Sequence, residues 1–432
     1  MDFAGREWLP GSAWPVKYEE IAPFYRETYD NFGIEGDAQN DDAVWKSISS
    51  ERPQLGDEFE AFFTRWLQIP SFAILYAKQY KTSEMFSVLL GHTVVGFEGS
   101  RERITGVRVV DAAGAPHTIA GKTFILAAGT IENARLLLHA AADESWACPW
   151  RQNRNIGAYF LDHLGGKIAT VQPSDSRTFF NSFCTIWLRG HKYQPKFRLR
   201  NDVLARDRIL NIQGAFGFES SVSENLVYLK QFVKAAVYSR QFTGVGDLFK
   251  NAAACSKYLL PLMWRYVRDH RIFVPSGSKI SLLMQGEPGP VAESRICLDR
   301  SVTDAYGLPR AVVDWRLSGH ELASIAEFAL RAEEALRTTG LANITIDPDL
   351  KAMDPKFMST MHDTNHQAGG TVMGTSERDG VVDRNLRLFG TENFYVGGAS
   401  TFRTVSNANT TFTALAFTTR LVHHLCGEHP TD

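Results

Sequence analysis

The sequence predicts a mixed α/β (α+β) protein in which strand–turn–helix units accompany a large, mostly antiparallel sheet flanked by helices. Two stretches, 117–141 and 393–421, each run from an apolar strand through a turn of small residues into an apolar helix. Between them, residues 164–350 carry alternating runs such as KIATVQ, ILNIQGAFGF and SKISLLMQGE, which favour strands of a separate sheet. We therefore expect two structural parts.

Length and composition indicate a globular protein with more than one domain. The chain has 432 residues, which is long for one compact core and suits two domains. Hydrophobic residues make up 44% and charged residues 22%, as in ordinary soluble proteins. Because the net charge is −2, there is no basic footprint for nucleic acid, and we expect no nucleic-acid partner.

Cysteine usage and hydropathy exclude several other classes of protein. The five cysteines are scattered without a C-x-x-C pair, so neither a disulfide framework nor a zinc or other metal site is indicated. No apolar run approaches the roughly 18 residues of a membrane span. The N-terminus carries no basic-then-apolar signal segment, and we expect a cytoplasmic protein.

The first 80 residues mix helix and loop signals. Trp14 and Pro15 precede an acidic, aromatic run that predicts a helix from about Tyr18 to Tyr29. Residues 36–60 are acidic and loop-like, whereas 61–80 are apolar and aromatic and are interpreted as part of a cap over the site.

The segment from residue 86 onward has the sequence pattern of short strands followed by a helix. Three runs, each ending in a turn that contains Gly, are predicted as strands: 86–99, 104–114 and 117–129. The run TIENARLLLHAA then predicts a helix with Thr130 as its N-cap and with Leu136, Leu137 and Leu138 turned inward.

Further along the chain, residues 223–272 are predicted to be helical and aromatic. Residues 320–340 predict an amphipathic helix that ends at Gly340.

Candidate chemistry lies between His366 and Leu421. His366 precedes GGTVMG, and Asn409 stands directly before the helical run TTFTALAFTTRL. A helix start presents free N–H groups and a positive dipole end, which stabilise a developing anion. A His that titrates near neutrality could accept a proton beside it. Structural roles are the alternative, since a lone His is often a core residue and Asn caps any helix well.

The order of these signals resembles the glucose-methanol-choline (GMC) family of FAD-dependent oxidoreductases. That family ends with a His before a GG-T-x-MG run, then VVD, a YV-x-D-A-S turn and N-P-T-x-T. Here Gly398 stands where the family has Asp, and Thr410 where it has Pro. LAAGTIENARLLL, NIGAYFLDH and the Trp14-Pro15 helix also resemble the family, in particular its sugar and polyol dehydrogenases.

The resemblance implies an enzyme that oxidises a CH–OH group of a sugar, glycoside or other alcohol by hydride transfer to flavin N5. It assigns His366 as the base for the hydroxyl proton and Asn409 as a hydrogen-bond partner of the same oxygen. It also implies a division of the chain: 1–84, interior linker and cap helices; 85–165 and 351–432, parts of a Rossmann-like FAD-binding domain; 166–350, the substrate domain.

FAD is the implied cofactor, and its contacts would come mainly from backbone. The implied positions are a strand residue beside adenine, two close-approach turns and the start of the last helix: Val94, Ala128, Gly129, Gly398, Ala399, Thr410 and Thr411.

A strand followed by G-x-G-x-x-G, which the resemblance leads us to expect, is not found; GVGDLF at 244–249 is discarded because its surroundings are helical. We expect either a truncated product or a second polypeptide that supplies the nucleotide-binding half, and weak FAD binding by this chain alone. The alternative function is therefore a partner-dependent or non-catalytic subunit.

Overall fold

The computed structural model describes residues 3–48, 50–67, 71–100, 102–220 and 258–427. Most of the predicted helical stretch 223–272, together with GVGDLF and Cys255, lies outside the described residues. Element labels below count the described helices and strands in chain order.

Helices and strands alternate irregularly along the chain. The helices are α1 Tyr18–Asn31, α2 Asp41–Ser47, α3 Phe72–Leu75, α4 Ala77–Thr82, α5 Thr130–Ala142, α6 Ser176–Phe183, α7 Asn201–Asp207, α8 Leu259–Asp269, α9 Glu321–Thr338, α10 Pro348–Lys351 and α11 Thr410–Cys426. The strands are β1 Phe59–Trp66, β2 Thr93–Gly99, β3 Ile104–Val110, β4 Pro116–Ala120, β5 Phe124–Leu126, β6 Leu164–Pro173, β7 Ile186–Leu188, β8 His191–Leu199, β9 Ile212–Glu219, β10 Lys279–Gly286, β11 Arg295–Thr303, β12 Pro309–Asp314, β13 Ala342–Ile346, β14 His362–Asp363 and β15 Phe394–Val396.

The predicted mixed α/β class and the large antiparallel sheet are confirmed. The sheet has the order β1-β8-β9-β10-β6-β13, with β7 paired to β8 and β14 paired to β6, and all of these pairings are antiparallel. One face packs on α9, whose Phe328 stacks on Phe197 of β8 at a ring-centroid distance of 5.9 Å. Both side chains are almost fully buried. The helix-spaced apolar residues of α9 thus cover one side of the sheet.

The other face of this sheet carries polar side chains, as strand β8 illustrates. Its odd-numbered residues 191–199 are buried, whereas the even-numbered ones are only partly buried. Because side chains alternate along a strand, the even-numbered residues, among them Gln194, Lys196 and Arg198, share the face opposite α9.

A second layer joins segments that are far apart in the chain. Strands β5 and β15 pair in parallel, with Phe394 opposite Phe124 and Val396 opposite Leu126. Leu126 and Phe394 belong to one hydrophobic cluster with Leu137 of α5 and Phe417 of α11. The four-part division of the chain stays a prediction.

Helix α1 packs against α11, and the residues just before α1 contact the segment that leads into α11. Tyr25 and Thr413 share a hydrogen bond of 2.7 Å between their hydroxyl oxygens. Trp14, just ahead of α1, stacks on Phe417 and donates its indole N–H to Thr404 Oγ1 at 2.9 Å. The Trp-Pro segment therefore fixes the chain that leads into α11.

Several local expectations were wrong. Residues 36–60, predicted to be loop-like, contain helix α2 and the start of strand β1. Residues 86–92 do not form a strand, since β2 begins at Thr93. Residues 59–66 are strand β1 rather than part of a cap; Phe59, Ala61 and Phe63 are buried on one face, and β8 supplies the pairing partner. Thr130 is the first residue of α5 and not its N-cap, because Gly129 occupies that position with φ +93°.

Three further features concern membrane spans, metal sites and cysteines. Among the described residues, no helix has the length and apolarity needed to cross a membrane, and no group of three or more His, Cys, Asp or Glu side chains could hold a metal ion. Four cysteines in this part of the chain are free, and burial raises the thiol pKa of Cys148 to about 11 and of Cys184 to about 12.

Candidate active site

Two glycine turns meet at the carboxyl ends of β5 and β15. Gly129 has φ +93° and Gly398 has φ +95°, and an added Cβ at either position would find no heavy atom within 4 Å. Ligands of α/β proteins bind where the carboxyl ends of parallel strands meet helix starts. The two turns therefore border open space in which backbone can approach a ligand closely.

Asn133 of α5 ties the two turns together. Its Oδ1 accepts the Ala128 N–H at 2.8 Å, and its Nδ2 donates to the Gly397 carbonyl at 3.0 Å and to Ser400 Oγ at 2.8 Å. The side chain is completely buried. Asn133 lies within the run TIENARLLL but is not among the site residues predicted from the sequence.

Replacing Asn133 with Ala should destabilise the fold by about 2–4 kcal/mol, because buried backbone groups of two turns lose their partners. Urea unfolding followed by Trp fluorescence measures this change. Asn343→Ala is the matched control, since Asn343 is exposed on β13 and should change stability by less than about 0.5 kcal/mol. Equal stability of the two variants would contradict the assigned role.

His366 lies in a loop that hydrogen bonds hold in place. Its Nδ1 is 2.7 Å from Thr364 Oγ1, and its backbone N–H donates to Asp162 Oδ1 at 2.9 Å. The ring is half-buried. Burial, and then the charge of Lys196, lower the pKa of His366 below its ordinary value. The imidazole is thus neutral at neutral pH and has Nε2 free of the contact with Thr364.

Asp162 and His163 support this loop and were missed as functional residues. His163 is fully buried, and its Nε2–H donates to the Ser406 carbonyl at 3.0 Å. Its ring stands edge-on to that of His366, with centroids 5.2 Å apart. Burial lowers the pKa of His163 to about 3 and raises that of Asp162. The run NIGAYFLDH could have pointed to both residues.

Asn409 is the N-cap residue of α11, but its side chain makes no capping hydrogen bond. Instead, Oδ1 accepts from Gln285 Nε2 of β10 at 3.3 Å. Gln285 also donates to the Asn407 carbonyl at 3.0 Å. Since Gln285 engages the amide oxygen, the Asn409 NH₂ group is left for a ligand.

A cavity of about 400 Å³ lies over the polar face of the large sheet. Thr364, the partner of His366, and Gln285, the partner of Asn409, both line it. A larger cavity has a volume of about 510 Å³, and its lining includes Lys17, Tyr18 and Ser406. Neither Thr364 nor Gln285 contributes to that lining. We therefore place the candidate chemistry at the 400 Å³ cavity.

The structure brings most predicted site residues near the two turns and α11. Ala128 and Gly129 are exposed, Gly398 and Ala399 are partly buried, Thr410 is buried and Thr411 is exposed. Val94 is partly buried on β2, a strand that packs against α5. Contact of His366 and Asn409 with one bound atom stays a prediction.

The family model of the GMC oxidoreductase C-terminal domain matches residues 290–418. This segment is a GMC oxidoreductase C-terminal domain. It contains α9, His366 and most of α11, so the resemblance found in the sequence is confirmed. GMC oxidoreductases bind FAD, which confirms the expected cofactor at the level of this family.

Two relatives extend the similarity. The fructose dehydrogenase large subunit of Gluconobacter japonicus is 24% identical over 322 residues, covering 74% of this chain and 50% of that protein. The 2-methyl-1,2-propanediol dehydrogenase of Mycolicibacterium austroafricanum is 23% identical over 457 aligned positions, covering 94% of this chain and 73% of that protein. The chain thus spans about half the length of the first relative.

Solved structures support the fold. Pyridoxine 4-oxidase from Mesorbium loti has a TM-score of 0.53 and 17% identity, covering 97% of this chain and 72% of that one. Formate oxidase has a TM-score of 0.50 and 15% identity, with coverages of 96% and 72%. Both confirm the predicted fold class.

The residues present fit a flavin. The open space at Gly129 and Gly398 allows backbone contact with a cofactor. Helix α11 begins directly after Asn409, whose hydrogen-bond partner Gln285 lines the cavity. The family Asp at position 398 is absent, so only backbone groups of Gly398 can take part.

Proposed function

We propose that this protein is an FAD-dependent oxidoreductase that oxidises the CH–OH group of a sugar, glycoside or other alcohol. The observation that carries the proposal is that the hydrogen-bond partners of His366 and Asn409 line one cavity. The names of the relatives, both dehydrogenases of hydroxylated compounds, agree with this reaction class.

His366 is proposed as the general base. With Nδ1–H donated to Thr364 Oγ1, the Nε2 lone pair is available to accept the hydroxyl proton of the alcohol. FAD, when bound, supplies the acceptor for the hydride from the carbinol carbon. Because the His366 pKa is lowered, the base stays unprotonated down to pH values below 6.5, the ordinary value for His.

Asn409 is proposed to hydrogen-bond the same substrate oxygen. Its Nδ2 donates to that oxygen as negative charge develops, and Gln285 holds the amide in position. The positive end of the α11 dipole acts in the same direction.

Asn409→Ala should lower the rate of alcohol-driven flavin reduction by about 10²–10³-fold, the effect of removing one oxyanion donor. Rapid-mixing spectroscopy under anaerobic conditions measures the rate. Asn343→Ala, on the far edge of the sheet, should reduce flavin as fast as the unmodified protein. Unchanged reduction in Asn409→Ala would remove this residue from the mechanism.

The reaction class itself is tested by adding a panel of sugars, polyols and simple alcohols to the FAD-loaded protein without oxygen. Loss of the visible bands of oxidised flavin with at least one alcohol supports the proposal. Stable oxidised flavin with all of them, in protein that holds FAD near stoichiometry, counts against it.

We further propose that a second polypeptide or segment completes the flavin site. Ile125 of β5 is 49% exposed, although strands of parallel sheets are normally covered on both faces. One relative is named as a large subunit. The visible spectrum of the purified chain tests this: a colourless chain supports it, and stoichiometric flavin opposes it. A non-catalytic subunit would remain colourless and inactive with any partner.

A further inference from the structure

The cavity over the sheet has cationic and amide groups but no carboxylate in its lining. Its polar side chains come from strands β6, β8, β9, β10 and β14 and include Lys167, Lys196, Gln194, Gln213, Gln285 and His362. No Asp or Glu of the described residues is among them. A cavity of this composition favours an anionic ligand.

Lys196 is a partly buried cation in the lining of this cavity. It lies at an even-numbered position of β8, on the face opposite α9. In the described part of the chain it has no ion pair or hydrogen bond, and burial alone lowers its ammonium pKa to about 8. A partly desolvated charge without a counter-ion costs free energy, which an anionic ligand would offset.

Gln213 is an independent sign of a ligand at the same place. Its side chain is 2% exposed and lines the cavity from β9, yet its Nε2 has no hydrogen-bond partner among the described residues. A buried amide donor without a partner costs about 1–3 kcal/mol. An acceptor atom of a bound ligand would satisfy it.

The cavity is also close to the proposed base. The charge of Lys196 lowers the pKa of both His366 and His163, so the ammonium acts electrostatically on the ring that would take the substrate proton. One small molecule could therefore pair its anionic group with Lys196 and place a hydroxyl group at His366.

We propose that Lys196 and Gln213 bind the carboxylate of a hydroxylated acid, and that this pair makes the enzyme selective for acidic over neutral alcohols. The proposal rests on the proposed function and names its substrate class. One ammonium and one amide N–H supply a donor for each of the two carboxylate oxygens. A phosphate group shares the negative charge but offers more acceptor oxygens than these two donors satisfy.

The test measures binding and requires no turnover. Isothermal titration of the full chain with D-gluconate and with D-sorbitol compares two molecules that differ in a carboxylate at one end. We expect gluconate to bind at least about tenfold more tightly. Sorbitol 6-phosphate distinguishes the other anion source, and tighter binding of this phosphate than of gluconate would overturn the carboxylate assignment.

Lys196→Met should weaken gluconate binding by about 10–100-fold and leave sorbitol binding within about twofold. Lys192→Met is the matched control, because Lys192 lies on the same face of β8 but not in the cavity lining. It should bind both compounds as the unmodified chain does. Unchanged gluconate binding in Lys196→Met, or an equal loss for both compounds, would overturn the proposal.

Lys196→Arg provides a second readout through pH. In the unmodified chain, gluconate affinity should fall as pH rises through about 8, because the ammonium loses its proton. The Arg variant should bind gluconate equally well over this range, since guanidinium stays charged. Parallel pH profiles in the two proteins would contradict the assignment. Among the described residues, the charged or titratable groups around Lys196 include Lys192 and Arg198 of β8, Glu60 of β1, Lys167 of β6, His362 of β14, and His163 and His366.

The binding result and the flavin result are separable. Lys196-dependent gluconate binding without any flavin reduction would leave the anion site standing and remove the proposed reaction. Flavin reduction by gluconate that proceeds equally well in Lys196→Met would leave the proposed reaction standing and remove the anion site.

Discussion

Replacing His366 with Ala is expected to slow alcohol-driven flavin reduction by about 10²–10⁴-fold, the usual contribution of a positioned general base. The loop that carries His366 is held by Asp162 through the backbone N–H, so the substitution leaves that anchor in place. FAD binding should therefore be retained. Rapid-mixing spectroscopy of the FAD-loaded variant measures the rate, and the flavin content measured beforehand separates lost chemistry from lost cofactor.

The pH dependence gives this prediction a second signature. In the unmodified protein the reduction rate should fall toward acid as His366 becomes protonated, with a midpoint below pH 6.5 because its pKa is lowered. This acid limb should be absent in His366→Ala. His117→Ala, on exposed strand β4, is the control and should keep both the rate and the limb. A full rate in His366→Ala would exclude His366 as the base.

Gly369→Ala is expected to destabilise the fold by more than about 4 kcal/mol, a loss confined to a few severe mechanisms. Gly369 has φ +74°, and an added Cβ would overlap the carbonyl oxygen of Tyr159, which is backbone and cannot rotate away. The Gly369 N–H also donates to the Ala399 carbonyl at 3.1 Å. Movement of this residue would disturb the Gly398–Ala399 turn.

Gly319→Ala is the matched control for this prediction. Gly319 has φ +90°, but an added Cβ there would meet nothing within 4 Å. Only the cost of a positive φ remains, about 1–2 kcal/mol. Urea unfolding of both variants gives the two values. A difference of less than about 1 kcal/mol between them would show that the close contact at Tyr159 is easily relieved.

Long, regular patterns predicted much of the fold. The helix predicted over 320–340 and the strands predicted at β6, β9 and β10 are present. Each of these segments has an apolar pattern that extends over eight or more residues. Short segments depend on distant partners. Strand β1 exists because β8, more than 120 residues later, pairs with it. The apolar run at 86–92 has the composition of a strand, but Leu90 is 82% exposed and no strand pairs with it among the described residues.

The site residues that were predicted are those that lie next to a recognisable sequence motif. His366 and Asn409 precede recognisable runs, whereas Lys196 and Gln213 occupy alternate positions of ordinary strands, where polar residues usually indicate a solvated face. Only the sheet order β8-β9-β10-β6, with β14 paired to β6, brings these strands into one sheet and encloses these residues in a cavity. Asn133 was overlooked for the same reason, since two of its three partners, Gly397 and Ser400, lie more than 260 residues away.

The most direct test of the proposed function is the anaerobic reduction of bound FAD by one alcohol with hydrogen, and then deuterium, at the carbinol carbon. The account predicts that the alcohol bleaches the flavin in a single turnover and that the deuterated alcohol does so more slowly, because the C–H bond breaks in that step. Bound flavin that stays oxidised, or an identical response to a range of compounds without a CH–OH group, would contradict it.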